Sequence, residues 1–160
     1  MSEGCDSNYS ESCLSDAITY LESQHREIEH LFELIDAIDR EDRATKFQAF
    51  QQAAKLILNH SCIEERYFFP LISSSSDPGV IEDDEIHYVI KRLISNIETG
   101  GAIHPSFHAN VTILKEIVLR HFSREETSTF AKIRSKTETA VLVGLGAKIK
   151  AEYCRLAFQF

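Results

Sequence analysis

The sequence predicts an all-α chain: an up-down antiparallel four-helix bundle with an extra C-terminal helix. Three observations carry that expectation. Four long segments place apolar residues three and four positions apart, the spacing of one helix face. No stretch alternates strictly between apolar and polar residues with turn signals at its ends, so no sheet is expected. The connections between segments are short and polar, which sets sequential helices antiparallel.

Residues 1 to about 13 are small and polar without periodicity, and are expected to be a flexible tail. The bundle domain is expected over 14–160. The first helix starts near Ser15 and Asp16, either of which suits an N-cap, and runs to about Ile38. Its apolar seam is Ile18, Leu21, Ile28, Phe32 and Ile35. Asp39 to Asp42 form a charged turn. The second helix is expected from about Arg43 to Phe69, with Phe50, Ala53, Ile57, Phe68 and Leu71 on its seam, and Pro70 ends or bends it. Ser73 to Gly79 reads as a loop by composition.

The third helix is expected from Ile81 to Glu98, with Glu82, Asp83, Asp84 and Glu85 near its N-terminus, where the macrodipole favours acids. Thr99 to Pro105 make the next break. The fourth helix runs from near Ser106 to about Ile133 on Phe107, Val111, Leu114 and Val118. A fifth segment, Thr137 to about Phe158, keeps helical spacing at Leu142, Leu145, Ile149 and Leu156, although Gly144 and Gly146 weaken it.

Length and charge narrow the function. A chain of 160 residues is one domain by length, and its net charge of −8 disfavours nucleic acid or an anionic membrane as partner. No apolar run reaches the roughly 18 residues of a membrane span, and the first residues lack the basic and apolar regions of a secretory signal. The four cysteines (Cys5, Cys13, Cys62 and Cys154) make no CxxC pair, so a reducing cytoplasm with mostly free thiols is expected. A monomer or small homo-oligomer is expected.

Polar residues interrupt each seam. His25 breaks the first helix's seam and His87 the third's, within Asp83, His87, Ile90, Ile94 and Ile97. His60 with Glu64, and His121 with Glu125, break the second and fourth, each pair four residues apart and so on one face. Buried glutamate is rare unless paired or ligating. The pattern repeats: His25 to His60 is 35 residues and His87 to His121 is 34, while His60 to His121 and Glu64 to Glu125 are both 61. Two hairpins would then meet in a pseudo-twofold layer of four imidazoles and two carboxylates. Read as one metal site, these nitrogen and oxygen donors without thiolate favour iron, manganese or zinc. Two metals bridged by both carboxylates would each take two imidazoles, and added solvent or an oxo bridge would leave each short of six ligands. The competing reading is a hydrogen-bonded polar core layer without metal.

At these residues the chain resembles the hemerythrin-like (HHE cation-binding) family over about 16–133. The likeness rests on His25, then His60-x-x-x-Glu64 with Glu65 and the Phe68-Phe69-Pro70 ending, then His87, then His121-x-x-x-Glu125-Glu126. The resemblance implies a helix bundle around two non-haem iron ions, oxo- or hydroxo-bridged. Glu64 and Glu125 would bridge them, with His25 and His60 on one and His87 and His121 on the other. The oxygen carriers of the family have a further histidine where this chain has Lys91. They also use a His-x-x-x-x-Asp spacing in the fourth helix, which makes Glu126 a competitor to Glu125; the i+4 face favours Glu125.

Without the fifth imidazole, binding of O2, peroxide or NO for sensing, redox or iron handling is expected rather than oxygen carriage. Peroxide or NO reduction, iron donation for iron–sulfur repair, and iron storage are the alternatives. The remaining polar residues take plainer readings. Glu29 is expected to pair with Arg26 or its neighbours, His30 to be solvated, and Cys62 and Tyr67 to pack. Lys91 is balanced between reaching the site and pointing to solvent. His104 and His108 flank Pro105, where a second metal site is a weaker alternative.

Overall fold

The computed structural model describes residues 15–72 and 77–157. The expected N-terminal tail, with Cys5 and Cys13, lies outside them. Every regular element among the described residues is helical.

Helix α1, Ala17–Ala37, is capped by Asp16, whose carboxylate accepts from the Thr19 amide at 2.9 Å, and it stops where Ile38 turns extended. Helix α2, Arg43–Ile63, is capped by Asp42, which accepts from the Thr45 amide at 3.2 Å. The chain does not end this rod at Pro70. It passes through a π-helical turn, Glu64–Phe68, into α3, Phe69–Ile72. Within that turn the Phe69 amide reaches back five residues to the Glu64 carbonyl. The regular i to i−4 ladder is thus already broken where Pro70 has no N–H to give.

Helix α4, Pro78–Gly100, begins three residues earlier than the charge pattern suggested, because Pro78 takes a first-turn position behind the Asp77 cap. It ends at Gly101, whose φ of 68° lies in the left-handed region that only glycine enters freely. Helix α5, Phe107–Arg124, leads through a second π-helical turn, Glu125–Thr129, into α6, Phe130–Lys136. Helix α7 is Thr139–Ala157.

The helices pack in two hairpins. His25 on α1 stands beside His60 on α2 while Lys46 donates to the Ile38 carbonyl, so these helices run antiparallel. His87 on α4 stands beside His121 on α5, and Asp83 meets Thr129 beyond it, which is again antiparallel. Helix α7 lies along α1 and α2. It packs Tyr153 edge-on against Tyr20 with ring centroids 6.3 Å apart, and Glu152 pairs with Arg66 at 2.8 Å. A β-carbon on Gly146 would lie 2.4 Å from the Ser15 carbonyl oxygen, so glycine permits this close approach.

The apolar core is split. One cluster includes Ile28, Phe32, Phe50, Ile57, Ile94, Leu114 and Phe122; the other joins Ile18, Leu21, Ile63, Phe68, Phe130, Ile133, Leu142 and Ile149. The residues that interrupt the seams lie buried between them.

Candidate metal centre

Each hairpin brings two imidazoles and one glutamate to the split in the core. His60 and Glu64 share a face of α2 and its extension, and His121 and Glu125 share the equivalent face of α5. Both glutamates open a π-helical turn, Glu64–Phe68 and Glu125–Thr129, an irregularity that favours functional positions. All six side chains predicted for the site are at most 2 % exposed.

The imidazoles turn their Nε2 atoms inward. Those of His25 and His60 are 3.0 Å apart, and those of His87 and His121 are 2.8 Å apart. Glu64 sets Oε1 3.3 Å from His60 Nε2 and Oε2 3.4 Å from His87 Nε2. Glu125 sets Oε1 3.1 Å from His121 Nε2 and Oε2 3.4 Å from His25 Nε2. Each carboxylate therefore spans both imidazole pairs. Two groups of four ligand atoms result, with both glutamates common to both: His25, His60, Glu64 and Glu125, then Glu64, His87, His121 and Glu125.

The outward nitrogens explain which atoms are left for a cation. His25 Nδ1 faces Glu126 Oε1 at 2.7 Å and His87 Nδ1 faces Glu65 Oε1 at 3.0 Å. A carboxylate accepts, so both imidazoles carry the proton on Nδ1 and present a bare Nε2 to the centre. His60 Nδ1 meets Gln24 Oε1 at 2.9 Å and follows the same pattern. Facing lone pairs and four buried carboxylate oxygens without a hydrogen-bond donor are unfavourable in a dry core. Cations bound among them remove both costs, so the donor set fits a pair of metal ions.

The electrostatics agree. Burial, aided by His60, pushes His25 down to about 2, and burial pushes His121 down to about 3. Burial would also lower His87, but without a cation in the layer the nearby Glu64 and Glu65 carboxylates outweigh it and raise it to about 9. Burial favours a neutral Glu64, yet His60 and His87 hold its carboxyl well below the usual range. Glu125 is pushed well above that range, first by burial and then by the Glu64 charge. Two carboxylates this close do not both ionise readily without a counter-charge.

Outside the layer, Lys91 Nζ donates to Glu65 at 2.5 Å, and Arg26 pairs with Glu126 and, at 2.7 Å, with Glu29. Lys91 thus acts on an outer carboxylate and is neither inward nor free. Glu126, the sequence competitor of Glu125, stands behind His25. Phe122 stacks on His25 with centroids 3.8 Å apart, and Phe69 stacks on His87 at 5.5 Å, so these rings also keep water from the layer.

Sequence reasoning missed Gln24, because only the packing of α1 on α2 brings it to His60. It also missed the role of Asp83, which is fully buried and accepts from Thr129 Oγ1 at 2.8 Å. Its place on the α4 seam one turn before His87 was the available signal. His30 is 66 % exposed beside Glu33, as a solvated residue should be. His104 and His108 join neither group of metal-ligand atoms among the described residues. Cys62 is half-buried, and Tyr67 lies under Lys148 Nζ, 5.0 Å from the ring centroid.

Residues 16–133 match the family model described as the hemerythrin HHE cation binding domain. No curated protein and no solved structure gives a significant match.

Proposed function

This chain belongs to the hemerythrin HHE cation-binding domain family, and we propose that its buried histidine–glutamate layer holds two iron ions to bind O2 or a related small oxidant. The observation that carries this reading is the spanning of both imidazole pairs by each carboxylate of Glu64 and Glu125, with no hydrogen-bond donor to any of the four oxygens. His25 and His60 would hold one ion, His87 and His121 the other, and both glutamates would bridge. Manganese or zinc suits the same donors, but iron suits redox chemistry.

Two ions sharing these six donors would supply open coordination positions and a redox couple for O2, peroxide or NO. The protein's own part is separate. Glu126, Gln24 and Glu65 hold three imidazoles in the ligating tautomer, and Phe122 and Phe69 keep the layer dry. We read the bundle as four up-and-down helices around this layer, with α7 added. We place it in a reducing cytoplasm as a monomer or small homo-oligomer with a small-molecule ligand. No described helix is long and apolar enough to cross a membrane.

The test is metal content of protein purified without air, with its visible spectrum taken before and after air is admitted. Two irons per chain and absorption that grows in air are expected. A protein that stays metal-free or holds only zinc, and remains folded and colourless when offered iron, would leave a polar core layer as the better reading.

A further inference from the structure

Helix α4 carries an apolar face that no described residue covers. Tyr88 is 60 % exposed, Ile81 49 % and Val89 46 %, three large apolar side chains close together on one helix. They stand away from the buried side of α4, which is Asp83, His87, Ile90, Ile94 and Ile97. Glu85 and Arg92 share the outer side. Both are exposed, and neither has an ion-pair or hydrogen-bond partner among the described residues.

The internal repeat shows that the bundle does not require these apolar residues. With His25 aligned on His87, the places of Ile81, Glu85, Tyr88, Val89 and Arg92 are held on α1 by Thr19, Ser23, Arg26, Glu27 and His30. The first hairpin thus fills this face with polar residues. Arg26 pairs there with Glu29 and Glu126, and His30 stands in solvent beside Glu33. Apolar side chains grouped on the same face of the second hairpin, and left exposed, mark a contact surface.

The order of residues along α4 identifies the occupant. Glu85 stands three residues before Tyr88, and Arg92 stands three residues beyond Val89. Let two copies of α4 lie antiparallel with a twofold axis beside Tyr88 and Val89. Tyr88 of each copy then meets Val89 of the other, and Glu85 of each meets Arg92 of the other. A twofold contact needs such a self-complementary surface, an apolar centre flanked at equal distance by opposite charges. We infer that the outer face of α4 docks a second copy of this chain, antiparallel, through Ile81, Glu85, Tyr88, Val89 and Arg92. Ile86, one turn before Val89, extends the apolar surface into the groove between α4 and α5, where Ile117 lines the other wall. A partner of single-sign charge would leave either Glu85 or Arg92 unmatched. The inference narrows the monomer or small homo-oligomer reading to a dimer and rests on no part of the two-metal reading, which metal content of the same samples decides separately.

Sedimentation of the protein as purified, over a series of concentrations, is the test. A dimer that dissociates on dilution is expected. Glu85→Arg sets arginine against arginine and Arg92→Glu sets glutamate against glutamate, so each should weaken the dimer about tenfold or more. The combined E85R/R92E variant restores opposite charges and should recover most of that loss. Tyr88→Arg with Val89→Glu, the residues that α1 carries at these places, should give a monomer with the parent's helix content. Leu34→Arg changes an apolar residue on α1 that is 47 % exposed, and should remain a dimer. A parent that is monomeric at every concentration would overturn the inference. So would a dimer that survives the Tyr88 and Val89 changes, one that Leu34→Arg dissolves, or a combined charge variant no stronger than the single ones.

Discussion

At the scale of single residues, the layer is organised by what each imidazole meets on its outer side. Truncating Glu64 or Glu125 removes the only oxygens that span both pairs. Glu64→Ala and Glu125→Ala should each lose metal and destabilise the chain by roughly 2–4 kcal/mol, because the charges they balance stay buried. Metal analysis and a thermal melt check this, and a variant with full metal and unchanged melting would remove that glutamate from the donor set. The outer carboxylates make a finer test. Glu65→Ala and Glu126→Ala touch no metal in this reading, yet they release the Nδ1 protons of His87 and His25. About 10–100-fold weaker metal binding is expected in a competition titration with a coloured chelator, with the bundle still folded.

At the scale of elements, two features outside the layer set local stability. The Asp16 cap is the first. Burial would raise its carboxyl, but the Thr19 amide and the Arg134 guanidinium outweigh that and hold it below the ordinary 3.8. A carboxyl depressed on folding contributes stability that is present above its unfolded pKa and is lost as the pH falls through the folded one. Asp16→Ala should therefore cost about 1 kcal/mol at neutral pH. That difference from the parent should shrink once the pH drops below the carboxylate range, as denaturant melts at two pH values would show. The second feature is α7. Gly146 lets it approach the start of α1, so Gly146→Ala should destabilise by about 1–3 kcal/mol through overpacking against Ser15 and Ala17. Gly144 is exposed with nothing within 4 Å of a new β-carbon, and Gly144→Ala should stabilise by up to about 1 kcal/mol. Opposite signs at two glycines two residues apart would report the docking of α7; equal effects would mean that it sits elsewhere.

At the scale of the whole molecule, the polar layer touches both apolar clusters, with His25 stacked on Phe122 of one and facing Phe130 of the other, so an occupant of the layer would help tie the core together. Removing metal should leave a folded but weaker bundle. Ligand at about a hundredfold excess over its dissociation constant contributes about 2.7 kcal/mol. For a chain of this size that corresponds to a melting point lower by roughly 5–10 °C after chelation. Melting curves with and without chelator, followed by metal add-back, measure it. No shift would mean that the layer holds itself together without a cation.

The amino-acid sequence by itself determined the seams, the break in each, and the pairing of His60 with Glu64 and of His121 with Glu125. These follow from a 3.6-residue period, which acts between neighbours on one helix and needs no knowledge of the others. The cap of the first helix was legible as Ser15 or Asp16 for the same reason, since a cap is a contact over three residues, and the structure selects Asp16; Asp42 was read only as part of a charged turn, and its cap on α2 came with the structure. The choice of Glu125 over Glu126 also rested on facing, and the structure places Glu125 in the layer and Glu126 behind His25. Only the tertiary structure decided what lies between helices. Gln24 reaches His60 because of the rotation of α1 on α2, and Lys91 meets Glu65 because α4 packs beside the turn that follows α2. The π-helical turns, the extension of both rods past their expected ends and the close seat of α7 on Ser15 depend likewise on packing across the bundle. Local periodicity does not encode the register between helices, so the six inward groups could be read in advance and most of the shell that orients them could not.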